Sequence, residues 1–328
     1  MRPLAINLLL TLAALAMAGA GLFLGEIQLS GAQIAEGFAD PASGPGVVLF
    51  EIRLPRTAAA LVVGGALGLA GAVMQGLLRN PLADPGVLGV SGGAGLGAAL
   101  AISLGLAGAP GAIEAAALAA ALLVGLVLTG LAARFREPET LILFGVALSA
   151  FLGALTSLVF NFSSSPVTLA EVLGWLLGSV ANRDWMDIAR QIPALAVGVG
   201  LAMYAARGLV MLTLGDEAAA LSGLPMTRLR AAAVAGASLL TGASVAMAGI
   251  VGFVGLAAPH LVRAGAGGDP GRVLLPSALA GAVLLAAADL AARLIPTDLE
   301  LKLGVVTALF GAPLFALIAW RAARSWRG

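Results

Sequence analysis

Residues 56–78 read RTAAALVVGGALGLAGAVMQGLL, and this stretch is the strongest indication of the fold class. An α-helix needs about 20 mostly apolar residues to cross a hydrocarbon core of about 30 Å, and this run supplies them. Small residues recur in it every four positions, at Gly64, Gly68, Ala72 and Gly76. That spacing places them on one helix face, where a second backbone can approach closely. The stretch predicts a transmembrane helix packed inside a helical bundle.

The composition extends this interpretation to the full chain. Of the 328 residues, 60% are hydrophobic, 11% are charged and 45 are glycine, whereas soluble domains are about 45–50% apolar. The chain is therefore predicted to be an all-α integral membrane protein. A formal net charge of +1 argues against nucleic-acid binding, which needs clustered Lys and Arg. The absence of cysteine excludes disulfides, thiol nucleophiles and thiolate metal sites.

A hydropathy window of about 19 residues gives ten candidate spans in a single transmembrane domain, residues 1–328. The first is longer than a signal-peptide core of ~7–15 residues, so we expect it to be retained. The eighth is too short to cross alone at ~1.5 Å per residue, and we expect it to continue the turn after the seventh. Outer loops are predicted at about 25–55 and 161–187. The spans are 4–24, 56–78, 86–106, 112–133, 140–160, 188–211, 230–249, 251–263, 273–293 and 303–320.

The basic residues orient these spans. Cytoplasmic loops carry an excess of Lys and Arg, and a cytoplasmic amino end places twelve of the 18 basic residues inside. Both termini are then cytoplasmic, as is the polar segment LGDEAAALSGLPMTRLR at 214–230. The inner set is Arg2, Arg79, Arg134, Arg136, Arg207, Arg228, Arg230, Arg263, Arg272, Arg321, Arg324 and Arg327. The outer set is Arg53, Arg56, Arg183, Arg190, Arg293 and Lys302.

The two halves of the chain share a short internal similarity. RLPR at 53–56 precedes a span that contains LAGA at 69–72, and RLR at 228–230 precedes one that contains LTGA at 240–243. An offset of five spans turns one copy upside down relative to the other, which is the inverted-repeat plan of many transporters. The pattern predicts two halves of opposite orientation.

The chain offers few groups for chemistry of its own. It has one histidine, His260, and no G-x-x-x-x-G-K-[ST] motif. We therefore expect no catalytic residue, no metal, no cofactor and no ATP hydrolysis by this chain itself. Gly93, Gly95 and Ala98 match a dinucleotide-binding spacing, but close helix contact explains them better because no strand precedes them.

Charged residues inside the spans are sparse. Asp289 and Arg293 stand four apart, acid first, which is the favourable order for an ion pair along one helix. A proton relay would need more intramembrane acids than this chain provides. An ion-coupled secondary transporter and a membrane-embedded hydrolase remain as alternatives to a transporter driven by a partner.

Five motifs carry a resemblance to a known family, which extends from about residue 25 to residue 321. These motifs are RLPR at 53–56, GAVMQGLLRNPLADPGVLGVSGGAGLG at 71–97, LGDEAAALSGLP at 214–225, GFVGLAAPHLVR at 252–263 and LGVVTALFGAP at 303–313. With them the sequence resembles the FecCD family of ABC importer permeases, whose members transport iron-siderophores, haem and vitamin B12.

The resemblance implies a type II ABC importer permease in the cell inner membrane, with ten spans, inverted-repeat halves and two cytoplasmic termini. Such permeases usually pair as homodimers with the path between the subunits, and two ATPase subunits bind below. In the family a short cytosolic helix of the permease enters a cleft of each ATPase. The residues here that match this coupling segment are Gly215, Asp216, Glu217, Ala218, Leu221, Gly223, Leu224, Pro225 and Arg228.

The resemblance also implies a docking surface for a periplasmic substrate-binding protein. Arg53, Arg56 and Arg293 occupy the positions of the family's docking arginines. The same side chains could instead anchor helix ends at the headgroup level, and both roles can coexist.

The family's gate and path map onto the fourth and fifth spans and the loop between them. The gate region corresponds to Glu137, Pro138, Glu139 and Thr140, where some relatives carry small hydroxyl residues instead of acids and proline. A ferric siderophore is the first expectation for the cargo, with haem and cobalamin as alternatives. The proposed path lining is a stripe that helix packing explains equally well, comprising Gly145, Ser149, Gly153 and Thr156.

Overall fold

A computed structural model describes residues 3–135, 137–163, 165–266, 269–295 and 301–325. Throughout these ranges the regular structure is helical, with fourteen α-helices, a π-helical turn at Val48–Arg53 and a 3₁₀ turn at Leu106–Gly108. The α-helices are α1 (Pro3–Phe23), α2 (Gly31–Ala39), α3 (Gly44–Val47), α4 (Leu54–Leu78), α5 (Val90–Ser103), α6 (Ala112–Arg134), α7 (Pro138–Phe162), α8 (Pro166–Leu176), α9 (Trp185–Leu212), α10 (Asp216–Leu221), α11 (Met226–Ala248), α12 (Val254–Ala266), α13 (Pro270–Leu294) and α14 (Leu303–Ser325).

Seven helical stretches in the described ranges are long and apolar enough to cross a bilayer. Each predicted span falls on one helix, but α5 has 14 residues and α12 has 13, which gives lengths of only about 20 Å. The helix lengths therefore do not confirm the count of ten. The seven stretches are Leu4–Phe23, Gly44–Leu78, Ala112–Arg134, Pro138–Phe162, Trp185–Leu212, Met226–Ala248 and Pro270–Leu294.

The two predicted outer loops contain helices, and the short eighth span follows a turn. The predicted loop at 161–187 contains α8, whose first turn is capped by the Ser165 side chain. The predicted loop at 25–55 contains α2, α3 and the π-helical turn. The short α12 follows α11 after a non-helical segment at 249–253, as expected, and Gly249 and Phe253 have φ of 69° and 66° there.

Helices α4 and α11 form the centre of the bundle. Helix α4 packs against α13, α11, α12, α9 and α1, and α11 packs against α6, α9, α4 and α5. The predicted stripe on α4 is confirmed as a packing surface. A Cβ added to Gly64 would collide with the carbonyl of Gly281, and one added to Gly68 would collide with that of Ser277. Close approach of α4 and α13 therefore requires glycine.

The helix contacts repeat in the two halves of the chain. Helix α4 packs on α13 as α11 packs on α6, and α5 packs on α6 as α12 packs on α13. Likewise α5 contacts α7 as α12 contacts α14, and α4 contacts α12 as α11 contacts α5. Exchanging α4–α7 with α11–α14 therefore preserves these contacts.

Helices α1 and α7 lie at the periphery. Only 11% of the apolar window of each is buried, against 83% for α11. Because lipid tails are as apolar as leucine, such faces are compatible with lipid or with another transmembrane helix.

Candidate functional site: coupling segment, arginine cluster and pathway helix

The predicted coupling segment folds as a short helix, α10, between α9 and α11. Gly215 precedes it with φ of 96°, and Gly223 follows it with φ of 75°, so glycine permits both changes of direction. The Ser222 hydroxyl donates to the carbonyl oxygen of Ala219 at 2.6 Å and closes the last turn. Pro225 then precedes the first residue of α11, where a proline suits the start of a helix.

Helix α10 is anchored on one side and exposed on the other. Ala219 is fully buried, and α10 packs against α9. Leu221 is 88% exposed and Leu214 is 66% exposed, and Glu217, Ala218 and the nearby Arg228 are exposed as well. The exposed side of this segment is therefore partly apolar and partly charged.

Asp289 of α13 lies at the centre of a buried ion cluster. Its Oδ1 accepts from Arg56 Nε at 2.9 Å and pairs with a second nitrogen of the same guanidinium at 2.9 Å. Its Oδ2 accepts from Arg293, one helical turn later, which confirms the predicted pairing along the helix. Asp289 is 1% exposed. The charge is tolerated there because two guanidinium groups compensate it.

The same cluster closes the carboxyl end of α1. Arg293 donates to the carbonyl oxygen of Gly21 at 3.0 Å, and Arg53 donates to those of Leu22 at 3.2 Å and Phe23 at 3.0 Å. Arg53 also donates to the carbonyl of Ile27. The last carbonyls of a helix have no partner within it. The two arginines therefore act as the cap of α1.

The burial of the three predicted docking arginines is unequal. Arg53 is 4% exposed and Arg293 is 5% exposed, whereas the Arg56 side chain is 14% exposed. The structure brings all three together but buries two of them within the protein.

A second ion cluster joins the amino ends of α6 and α9. Arg183 donates to Glu114 at 2.8 Å, and Arg190 donates to Asp187 at 3.0 Å. Sequence reasoning missed the Arg183–Glu114 pair because 69 residues separate its members and no helical spacing relates them.

A buried polar junction between α4 and α12 was also missed. The Gln75 amide donates to the carbonyl oxygens of Gly255 and Leu256 at 3.4 Å each, and Arg263 donates to Gln75 Oε1 at 2.7 Å. The contacts of Gln75 join positions about 180 residues apart, which only the tertiary structure can relate.

On the connector to α5, burial raises the pKa of the Asp84 carboxyl, although backbone hydrogen bonds oppose this shift.

The predicted gate region forms the start of α7. Glu137 is the residue before the helix, Pro138 is in its first turn, and Thr140 N–H donates to the Glu137 carbonyl at 3.2 Å. Glu139 also lies in the first turn, where the helix dipole favours an acid. Glu137 and Glu139 are exposed.

The predicted pathway stripe on α7 divides into two parts. A Cβ on Gly145 would collide with Leu88, and Ser149 Oγ donates to the carbonyl of Val87 at 2.7 Å. This part packs on the connector between α4 and α5.

The second part of the stripe is open. Gly153 is exposed and has no atom within 4 Å of an added Cβ. Thr156 Oγ1 donates to the carbonyl of Leu152 in its own helix at 3.0 Å. The part of α7 around Gly153 therefore has no neighbouring helix of the same chain against this residue.

Two apolar grooves flank the short helices α5 and α12. One of about 530 Å³ lies between α5, α7 and α8, and one of about 310 Å³ lies between α12, α13 and α14. Phe253, whose φ of 66° is uncommon for an aromatic residue, lines the second. A Cβ on Gly311 would collide with Phe253, so α14 passes directly against this segment.

Comparisons with known proteins agree with this architecture. The vitamin B12 import system permease proteins BtuC of Salmonella schwarzengrund (strain CVM19633) and Salmonella typhi are each 43% identical over 278 residues, covering 84% of both chains. A solved structure, described as an inward-facing conformation of a transporter of the metal-chelate ABC type, superposes with a TM-score of 0.84 at 32% identity. It covers 97% of this chain and 99% of its own. The model of the FecCD transport family matches residues 8–321, and the chain therefore belongs to the FecCD transport family.

Proposed function

We propose that this permease carries vitamin B12 inward across the cytoplasmic membrane, driven by two ATPase subunits and supplied by a periplasmic binding protein. Membership of the FecCD family makes the chain an ABC importer permease. The cargo assignment rests on the 43% identity to vitamin B12 permeases over most of both chains. The siderophore expected from the sequence stays an alternative cargo of the same machinery.

The observation that carries the proposed coupling is the geometry of α10. Helix α10 packs against α9, buries Ala219 and leaves Leu221 exposed. We propose that this turn enters a cleft of the ATPase subunit, so that closure of the ATPase dimer on ATP pushes on α9. A ligand or partner can shift a two-state protein only through different affinities for the two states. ATP binding to the ATPase subunits supplies that difference in affinity from the cytoplasmic side.

We propose a fold of ten membrane-crossing segments in two inverted halves. Leu-Phe-Gly at 143–145 on α7 recurs as Leu-Phe-Gly at 309–311 on α14. Each glycine packs on the connector before a short helix, Gly145 on Leu88 and Gly311 on Phe253. These equivalent contacts support a repeat that includes α5 and α12 as short segments, and interrupted helices are common in transporters with such repeats.

We propose that two copies of the permease pair through α7 and α14, which covers the apolar faces of these helices. On α14, Leu309 and Phe310 are 68% and 71% exposed. The path then runs between the subunits, past the open part of the stripe at Gly153, with Glu137 to Thr140 near its cytoplasmic end. Both chain termini are proposed to be cytoplasmic. Helix α7 exposes Leu143, Phe144, Val146, Phe151, Leu158 and Phe162.

Transport into proteoliposomes tests the proposal. The permease is reconstituted with its ATPase and binding protein, and uptake of labelled cyanocobalamin is compared with uptake of a labelled ferric siderophore. We expect cyanocobalamin to enter only when ATP, the ATPase and the binding protein are all present. Uptake of the siderophore alone would reassign the cargo, and uptake without the ATPase would favour an ion-coupled transporter.

Substitutions in α10 test the coupling step separately. We expect Glu217→Arg, or deletion of residues 218–221, to abolish uptake while the permease stays in the membrane. Glu171→Arg, at another exposed acid on α8, is the control and should transport normally. Normal uptake by the Glu217→Arg variant would contradict the coupling assignment.

A further inference from the structure

Helix α12 has a proline, Pro259, in its interior. Proline has no backbone N–H, so the carbonyl of Gly255, four residues earlier, lacks its usual partner within the helix. The proline ring also crowds that carbonyl and favours a bend at this turn. Gly255 is buried, and a buried carbonyl without a donor is costly. A donor from outside α12 is therefore expected at Gly255.

Gln75 of α4 supplies that donor. Its side-chain amide lies 3.4 Å from the carbonyl oxygens of both Gly255 and Leu256, and Gln75 is 2% exposed. Arg263, one turn after the proline, donates to Gln75 Oε1 at 2.7 Å. Because a guanidinium has donors only, this contact turns the NH₂ end of the amide toward α12. Arg263 thus orients the group that replaces the missing hydrogen bond of the helix.

The first half of the chain encloses this turn of α12 closely. A Cβ added to Gly71 of α4 would collide with the carbonyl oxygen of Gly255, and one added to Gly255 would collide with Asp84 Oδ2. The two contacts of the Gln75 amide are nevertheless longer than the usual range of about 2.7–3.2 Å. They are therefore weaker than an ordinary hydrogen bond and can open without a large penalty.

The short helix α5 provides a comparison within the same chain. Helix α5 contacts α11 as α12 contacts α4, but it contains no proline. Aligning LAGA at 69–72 with LTGA at 240–243 places Ala246 of α11 at the position of Gln75. A side-chain amide thus occurs at the helix crossing that has the proline, and an alanine occurs at the crossing that lacks it. The amide serves the proline turn rather than helix packing in general.

We propose that Gln75 is a positioning residue for transport, which stabilises α12 at Pro259, and that α12 bends there when the permease changes between its outward-open and inward-open states. The inference rests on the proposed importer function. The turn after α12 lies against α9, because a Cβ on Gly271 would be 3.0 Å from Val210, and α9 is followed by α10. Before α12, Phe253 lies against α14. The proline turn therefore lies between the proposed coupling segment and a helix of the proposed pairing surface.

Hydrogen exchange of the permease in nanodiscs tests the hydrogen bond without any cargo. Gln75→Leu should speed exchange of the peptide 254–266 by about tenfold, because the Gly255 carbonyl loses its donor. Pro259→Ala restores a backbone N–H at this position, so adding Gln75→Leu to it should change exchange by less than about twofold. Gln191→Leu, at another buried glutamine on α9, is the control and should leave this peptide unchanged. Equal acceleration by Gln75→Leu with and without Pro259→Ala would overturn the proposal.

Transport measured per ATP hydrolysed tests the bending of α12. In the reconstituted importer, Gln75→Leu and Pro259→Ala should each lower the cyanocobalamin carried per ATP by about fivefold, while hydrolysis continues. The double variant should regain slow exchange but not transport. A purely structural role of Gln75 would instead predict that slow exchange and transport return together, and that result would overturn the proposal, as would normal transport by Pro259→Ala.

A further variant decides the matter if Pro259→Ala does not fold. Gln75→Glu keeps an acceptor for Arg263 but removes the amide donor to α12, so it should exchange as fast as Gln75→Leu. Exchange as slow as in the unmodified permease would overturn the proposal. Failure of the unmodified permease to import cyanocobalamin, with the exchange results as expected, would instead count against the proposed function.

Discussion

Helices α4 and α7 carry similar stripes of small residues but use them differently. On α4, Gly64 and Gly68 meet the backbone of α13, and the helix is deeply buried. On α7, Gly145 packs within the chain while Gly153 faces open space. The spacing of small residues thus predicts that a backbone can approach, but it does not say whether that backbone belongs to the same chain.

The largest effect is expected on α4. Gly68→Ala should cost about 2–3 kcal/mol of unfolding free energy, because a methyl group there would collide with the carbonyl of Ser277 in a packed core. Gly65→Ala is the matched control on the neighbouring face, where an added Cβ would lie 3.5 Å from the nearest atom. Alanine at residue 65 should be neutral or stabilising by helix propensity. Thermal unfolding in detergent measures both, and equal behaviour would contradict the packing role of the stripe.

An intermediate effect is expected where the α7 stripe divides. Gly145→Ala should destabilise the permease by about 1–2 kcal/mol, since the methyl group would displace Leu88. Gly153→Leu should leave the unfolding temperature of the separated subunit unchanged and reduce uptake in the assembled importer. Measuring stability and uptake for both variants separates contact within the chain from contact with a second copy or the cargo. A stability loss in Gly153→Leu would remove the distinction.

The smallest effect is expected at Ser149. Ser149→Ala removes the hydrogen bond to the Val87 carbonyl, which should cost about 1 kcal/mol. Ser149→Thr retains the hydroxyl and serves as the comparison. If the alanine variant is as stable as the original, Ser149 belongs functionally to the open part of the stripe, and a selective change in uptake would locate it on the path.

Local patterns in the sequence predicted the helices and the contacts within them. Each predicted span coincides with a helix, the α4 stripe is a packing surface, and Asp289 pairs with Arg293 at the predicted spacing of four. These features depend on hydrophobic length and on the 3.6-residue period, which are properties of neighbouring residues. The coupling role of residues 214–230 stays a prediction for the α10 substitutions, and the docking role of the arginines stays a prediction as well.

The sequence by itself determined that this chain is a helical membrane protein of the FecCD family, because the length of apolar runs, the spacing of small residues and the long motifs are all local features of the sequence. Only the tertiary structure decided that Arg53 and Arg293 are buried and that Arg56 shares Asp289 with Arg293. The members of the Arg56–Asp289 pair are 233 residues apart. Whether a charge is exposed or compensated depends on which distant helix packs beside it, and no local pattern specifies that neighbour.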